Sequence, residues 1–184
     1  MLISVIIAAV AAILLSTLAA LGWVGHERRS LRKSFGAEYE TVAQEKDTKQ
    51  EVDRELLRRK RLHDKLRLRA ISVVDQEYYT TSWARLQVGF LDDPALALST
   101  ARQLVSQLLT ARGYPGDDAD ERLALLSVKH ADTLADYRRA QRISEHVRTK
   151  SVTTPIEEIR QALLSYHTLF NELMAVPGAL AVRR

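Results

Sequence analysis

Residues 2–24 carry no charged side chain, and nothing else in the sequence restricts its folding so strongly. Twenty-three residues at roughly 1.5 Å each make about 34 Å of helix, enough to cross a hydrocarbon core of about 30 Å. Trp23 falls where an interfacial aromatic belt would place it. The rival reading is a cleaved signal peptide, which needs a basic n-region, a shorter apolar core and a small-x-small site. Ala20-x-Gly22 offers a weak site, but nothing basic precedes the run. The expectation is an uncleaved signal anchor, residues 1–25. Arg28, Arg29, Arg32 and Lys33 stand behind it against Glu27. By the positive-inside rule they place the following domain in the cytoplasm, on a single-pass protein of the cell membrane.

The chain beyond this run must satisfy its backbone with few turn residues. Only four Pro and seven Gly occur among 184 residues. Hairpin-rich folds consume such residues at every reversal, so helices are favoured. With no Cys, disulfides, thiol catalysis and thiolate metal sites are excluded. Charge is uneven: residues 26–69 carry a net +5, whereas 70–184 carry −1. The near-neutral remainder argues against a nucleic-acid module, which has a basic face of its own.

Periodicity divides the soluble part. Residues 26–70 read as a basic juxtamembrane helical segment, interrupted near Phe35-Gly36. Val52, Leu56, His63 and Leu66 share one helical face there. Residues 71–176 read as a helical domain. Its first helix has Ser72 as N-cap with Asp75 three residues on, then Tyr79, Trp83, Leu86 and Phe90 as a buried stripe. Asp93-Pro94 opens the next helix, which Arg112-Gly113-Tyr114-Pro115 closes. A short helix over 118–126 precedes one over about 131–148, with Leu134, Tyr137, Ala140, Ile143 and Val147 along one face. The last helix begins after Thr154-Pro155-Ile156-Glu157, read as a capping box. It carries Ile156, Ile159, Leu163, Tyr166, Phe170 and Leu173 at spacings of three and four. No segment alternates convincingly as a strand. The expected fold is all-α: one transmembrane helix, then a compact domain of five or six helices and a frayed tail over 177–184. Trp83, Phe90, Tyr114, Tyr137, Tyr166 and Phe170 are the expected core.

Reactive constellations are sought first among the histidines. His26, His63, His130, His146 and His167 are scattered, and no two lie four apart on one helix. His63-Asp64, and His167 near Glu172, are conceivable acid–base pairs, but no nucleophile accompanies either. The cluster at Asp117, Asp118, Asp120 and Glu121 lacks the glycine and spaced oxygens of a calcium loop, and helix capping explains it. Neither phosphate-loop glycine pattern occurs, nor a G-x-S-x-G elbow. No catalytic, cofactor or metal residue is therefore assigned, and the chain is expected not to be an enzyme. One surface feature remains: Arg54, Arg58, Arg59, Lys60, Arg61, Lys65, Arg67 and Arg69 crowd a short stretch near the anchor. Each cation near an anionic bilayer contributes about 1 kcal/mol of attraction.

Several short motifs combine. Phe35-Gly36-x-Glu38-Tyr39, Trp83-x-x-x-Gln87-x-x-Phe90-x-Asp92-Asp93-Pro94 and Arg112-Gly113-Tyr114-Pro115 resemble a family of uncharacterised bacterial membrane-anchored helical proteins. Leu126-Ser127-Val128, Tyr137-Arg138 and Tyr166-His167-x-Leu169-Phe170 fit the same template, over about 31–174. The resemblance implies a short chain with one N-terminal apolar segment, a basic flank and a helical domain; it implies no activity. Ser34, Ala37 and Ala131 depart from the pattern, where Arg, Pro and Pro are usual.

These features point to a tethered, non-catalytic module that binds a protein partner or itself. A sensor of anionic lipid acting through the strip 54–69 is the alternative, and an enzyme with an unfamiliar helical site a third.

Overall fold

The computed structural model describes residues 29–116, 118–149 and 154–175. The expected anchor, residues 1–25, and the tail 177–184 lie outside the described residues. Within them the fold is all-α, without strands, and no helix is long and apolar enough to cross a membrane.

After helical residues 29–35 come α1 (Ala37–Glu45), α2 (Lys49–Asp64), α3 (Val73–Gly89), α4 (Pro94–Arg112), α5 (Ala119–Leu126), α6 (Ala131–Thr149) and α7 (Ile156–Ala175). Local chemistry sets most of the boundaries. Thr48 and Glu51 exchange hydrogen bonds in a complete capping box that starts α2. Ser72 accepts from the Asp75 amide, and Asp93 from that of Leu96, ahead of Pro94 at the first helical position. Gly113, at φ +98, ends α4: its amide donates to Thr110 O, and that of Tyr114 to Leu109 O. That pair of bonds is a Schellman closure, and a Cβ at 113 would lie 2.9 Å from Arg67 O. The box expected at Thr154–Glu157 does not form. Glu157 turns instead to Arg160 and Gln161, leaving Thr154 Oγ1 buried without a partner.

α7 is the axis of the bundle. It packs on α6 and α4, and its His167 and Phe170 lie on the indole of α3 Trp83, centroids 4.9 and 4.7 Å away. Tyr137 meets Tyr166 edge-on at 5.7 Å, and the Tyr166 hydroxyl bonds Ser144 at 3.0 Å. Trp83, Tyr114, Tyr137, Tyr166 and Phe170 are buried in this core, while Phe90 is only partly buried at its edge. Phe90 comes just after the last residue of α3, where the chain already turns toward α4.

Residues 29–70 of the segment 26–70 do not stand apart from the helices that follow. Leu31, Phe35, Tyr39, Val42, Val52 and Leu56 close a second, smaller core on Val128, and α1 and α2 pack on α6 and α5. Nor is its basic stretch one helix. α2 stops at Asp64, and residues 66–72 belong to no helix or turn. In Leu66-Arg67-Leu68-Arg69 the leucines pack on the main core and the arginines face solvent. That two-residue alternation belongs to extended chain. Arg69 N donates to Arg112 O at 2.9 Å, and Arg112 Nη1 donates back to Arg69 O at 2.6 Å.

Candidate functional site

Buried polar groups gather in two places. At the junction of the two cores, Glu38 is 3% exposed and accepts from three guanidinium nitrogens. Arg138 Nη1 and Nη2 reach it at 2.6 and 2.9 Å, and Arg59 Nη1 at 2.9 Å. Gly36 delivers this carboxylate: at φ +47 and ψ −126 it takes a conformation open to glycine, so α1 begins just before Glu38. Arg59 also holds Glu55 at 2.9 Å. Hydrogen bonds from Arg58 and Arg59 hold the Glu55 carboxyl down at about 2.

Arg59 must therefore be removed from the expected lipid-facing strip. A buried guanidinium needs an anion more than it needs solvent, and Glu38 supplies one. Arg58 is exposed but folded back on Glu55 at 2.8 Å. Arg54, Lys60, Arg61, Lys65, Arg67 and Arg69 are exposed, the first three on α2 and the rest beyond it.

The second cluster lies at the C-terminal end of α7. His130 Nδ1 donates to Glu172 Oε2 at 2.5 Å, and Thr133 donates to the same oxygen at 3.1 Å. The sequence suggested His167 as the neighbour of Glu172; the fold puts His167 on Trp83 instead. Buried His63 has neither ring nitrogen hydrogen-bonded, Asp64 being 3.9 Å away. Burial, with Lys129 second, pushes the His63 imidazole below its ordinary value, against an opposing pull from Asp64. The native state thus disfavours the protonated His63 imidazole relative to the unfolded chain, where it protonates below about pH 6.5. Its contribution to stability is whole above that pH and is lost as pH falls toward the depressed native value. In urea titrations, His63→Phe is expected to remove this component of the acid slope; an unchanged slope between about pH 6.5 and 5 would refute the assignment.

A cleft of about 450 Å³ beside Glu38 is lined by Thr41, Glu45, Arg59, Asp120 and Arg138 among others, where acids and bases already neutralise one another. Among the described residues no group of three His, Asp or Glu could hold a metal ion.

The outer face of α3 is different. Its inner face holds Tyr79, Trp83 and Leu86, yet Val74, Tyr78 and Val88 on the opposite side are 76%, 55% and 71% exposed. A helix apolar on both sides belongs between two packing partners, and among the described residues α3 is covered on one side alone. Leu91, 85% exposed, and Leu96 extend the patch across the α3–α4 turn. Between them runs a groove of about 340 Å³ lined by Ser82, Arg85, Leu86, Gly89, Asp93, Leu96, Ala97 and Thr100. Sequence reasoning found the inner stripe and stopped there, because four- and three-residue spacing fits one buried face and draws the eye from a second. The signal was present in Val73, Val74, Tyr78 and Val88, apolar positions that the inner stripe does not use.

No protein-family model, curated protein or solved structure matches the chain, so the site rests on its own geometry.

Proposed function

We propose that this chain is a membrane-tethered, non-catalytic protein-interaction module that docks through the outer face of α3. The observation carrying this reading is the exposed apolar stripe beside the α3–α4 groove. Monomeric proteins rarely leave so contiguous an apolar surface in water without a use for it. The apolar run at 2–24 supplies the tether, and the basic flank argues for a cytoplasmic domain. A photo-reactive side chain at Val88, in the full chain in native membranes, is expected to give discrete adducts. The same group at exposed Gln103 should give none. Equal labelling at both positions, or no adduct at Val88, would overturn the reading.

A second reading is favoured by the six exposed cations at 54, 60, 61, 65, 67 and 69. A surface of this kind would press on anionic headgroups, with an attraction that salt screens within about 10 Å at 0.1 M. Liposomes differing only in anionic lipid content separate the two readings, since the α3 stripe is indifferent to lipid charge.

A further inference from the structure

Resting on the docking role of α3, we infer that the occupant of this face is a second copy of the chain, its α3 antiparallel across a twofold axis at Thr81. Val74, Tyr78, Thr81, Arg85 and Val88 recur at four, three, four and three residues, the spacing of a helix–helix seam. The stripe is also its own complement. In an antiparallel pair centred on Thr81, facing positions are equidistant from that residue. Val74 then meets the partner's Val88, each seven residues from the centre. A twofold interface requires that each such contact occur twice, and here it does.

Charge selects the direction. The outer face carries Glu77 in its first half and Arg85 in its second. Both are exposed, and among the described residues they form no ion pair within the chain. Antiparallel pairing sets Glu77 against the partner's Arg85, twice. Parallel pairing would set Arg85 against Arg85 and Glu77 against Glu77, which costs affinity and rejects that register.

Shape agrees. Gly89 has no heavy atom within 4 Å of where a Cβ would stand, and it opens the groove between α3 and α4. The partner's Val73 is the residue opposite Gly89, and at 80% exposure it is free to enter. One helix pair falls short of the roughly 1,200 Å² typical of stable complexes. Leu91 and Leu96 widen the patch, and confinement to one bilayer raises the effective concentration.

The chain has no cysteine, so introduced thiols report without background. In the full chain in native membranes, Thr81→Cys is expected to oxidise to a covalent dimer of two identical chains. Val74→Cys and Val88→Cys, on separate co-expressed chains, should couple to each other. Gln103→Cys is the control. With Thr81→Cys as reporter, Glu77→Arg or Arg85→Glu should each reduce dimer to the control level, and the two together should restore it. All these positions are exposed, and circular dichroism checks the fold. Thr81→Cys dimer no greater than the control, or a double reversal without recovery, overturns self-pairing. Photo-adducts at Val88 to a different protein alone would then leave the docking role standing, whereas no adduct at all would remove both.

Discussion

Glu38→Leu is expected to lower the free energy of unfolding by about 3 kcal/mol, the low end for breaking a buried ion pair by removing one partner. The reason lies in what remains. Arg59, 8% exposed, keeps Glu55 but loses the carboxylate that faces it from α1. Arg138 loses both its bonds, yet its side chain is 25% exposed and can turn to water. Arg138→Leu should accordingly cost less, about 1–2 kcal/mol, because Arg59 still neutralises Glu38. Urea unfolding monitored by helical circular dichroism measures both. Equal losses for the two variants would mean that Arg59 does not depend on Glu38. The variants also probe architecture: Glu38 joins the small core of α1 and α2 to α6, so its loss should loosen α1 before it loosens α7. Hydrogen exchange should show protection lost first over 37–45.

Arg112→Met carries the other large effect, about 3–4 kcal/mol. The substitution keeps an unbranched apolar stem in a position only 2% exposed but removes the donors. Arg112 Nε and Nη2 both reach Leu173 O near the end of α7, and Nη1 reaches Arg69 O in the segment between α2 and α3. One planar guanidinium thereby ties three stretches of chain at one end of the bundle. Without it, two carbonyls lose charge-assisted donors. Arg112→Lys should recover only a minor part, because an ammonium lacks the fixed fork that spans two acceptors. Thermal melts rank the three proteins. If lysine matched arginine, the fork geometry would be irrelevant.

Sequence patterns exposed the fold more fully than the site. Helix boundaries at Ser72, Asp93 and Gly113 were legible because caps are local: an oxygen and an amide three residues apart, or one glycine in a left-handed turn. The inner stripes of α3, α4, α6 and α7 were legible because burial imposes a period. The contacts that escaped detection are those between residues distant along the chain. Glu38 and Arg138 are 100 residues apart, and His130 and Glu172 are 42 apart, so no spacing rule connects them. Arg59 looked like its basic neighbours because composition does not distinguish a guanidinium facing water from one facing a buried carboxylate. Two misses were avoidable. Thr48-x-x-Glu51 is a capping box in plain letters. Leu66-Arg67-Leu68-Arg69 alternates with a period of two, which already rules out continuation of α2.

The place of α7 in the chain has a kinetic consequence. Every helix it packs against precedes it, and its contact with Arg112 spans 61 residues. During synthesis α3, α4 and α6 emerge with the surfaces that meet α7 bare, and Trp83 has nothing to stack on until His167 and Phe170 arrive. Local hairpins can form early, but the bundle closes only when the last of these helices leaves the ribosome. Folding of this domain is therefore a late, concerted event rather than a growing one. Until then, the nascent chain exposes its most adhesive surface.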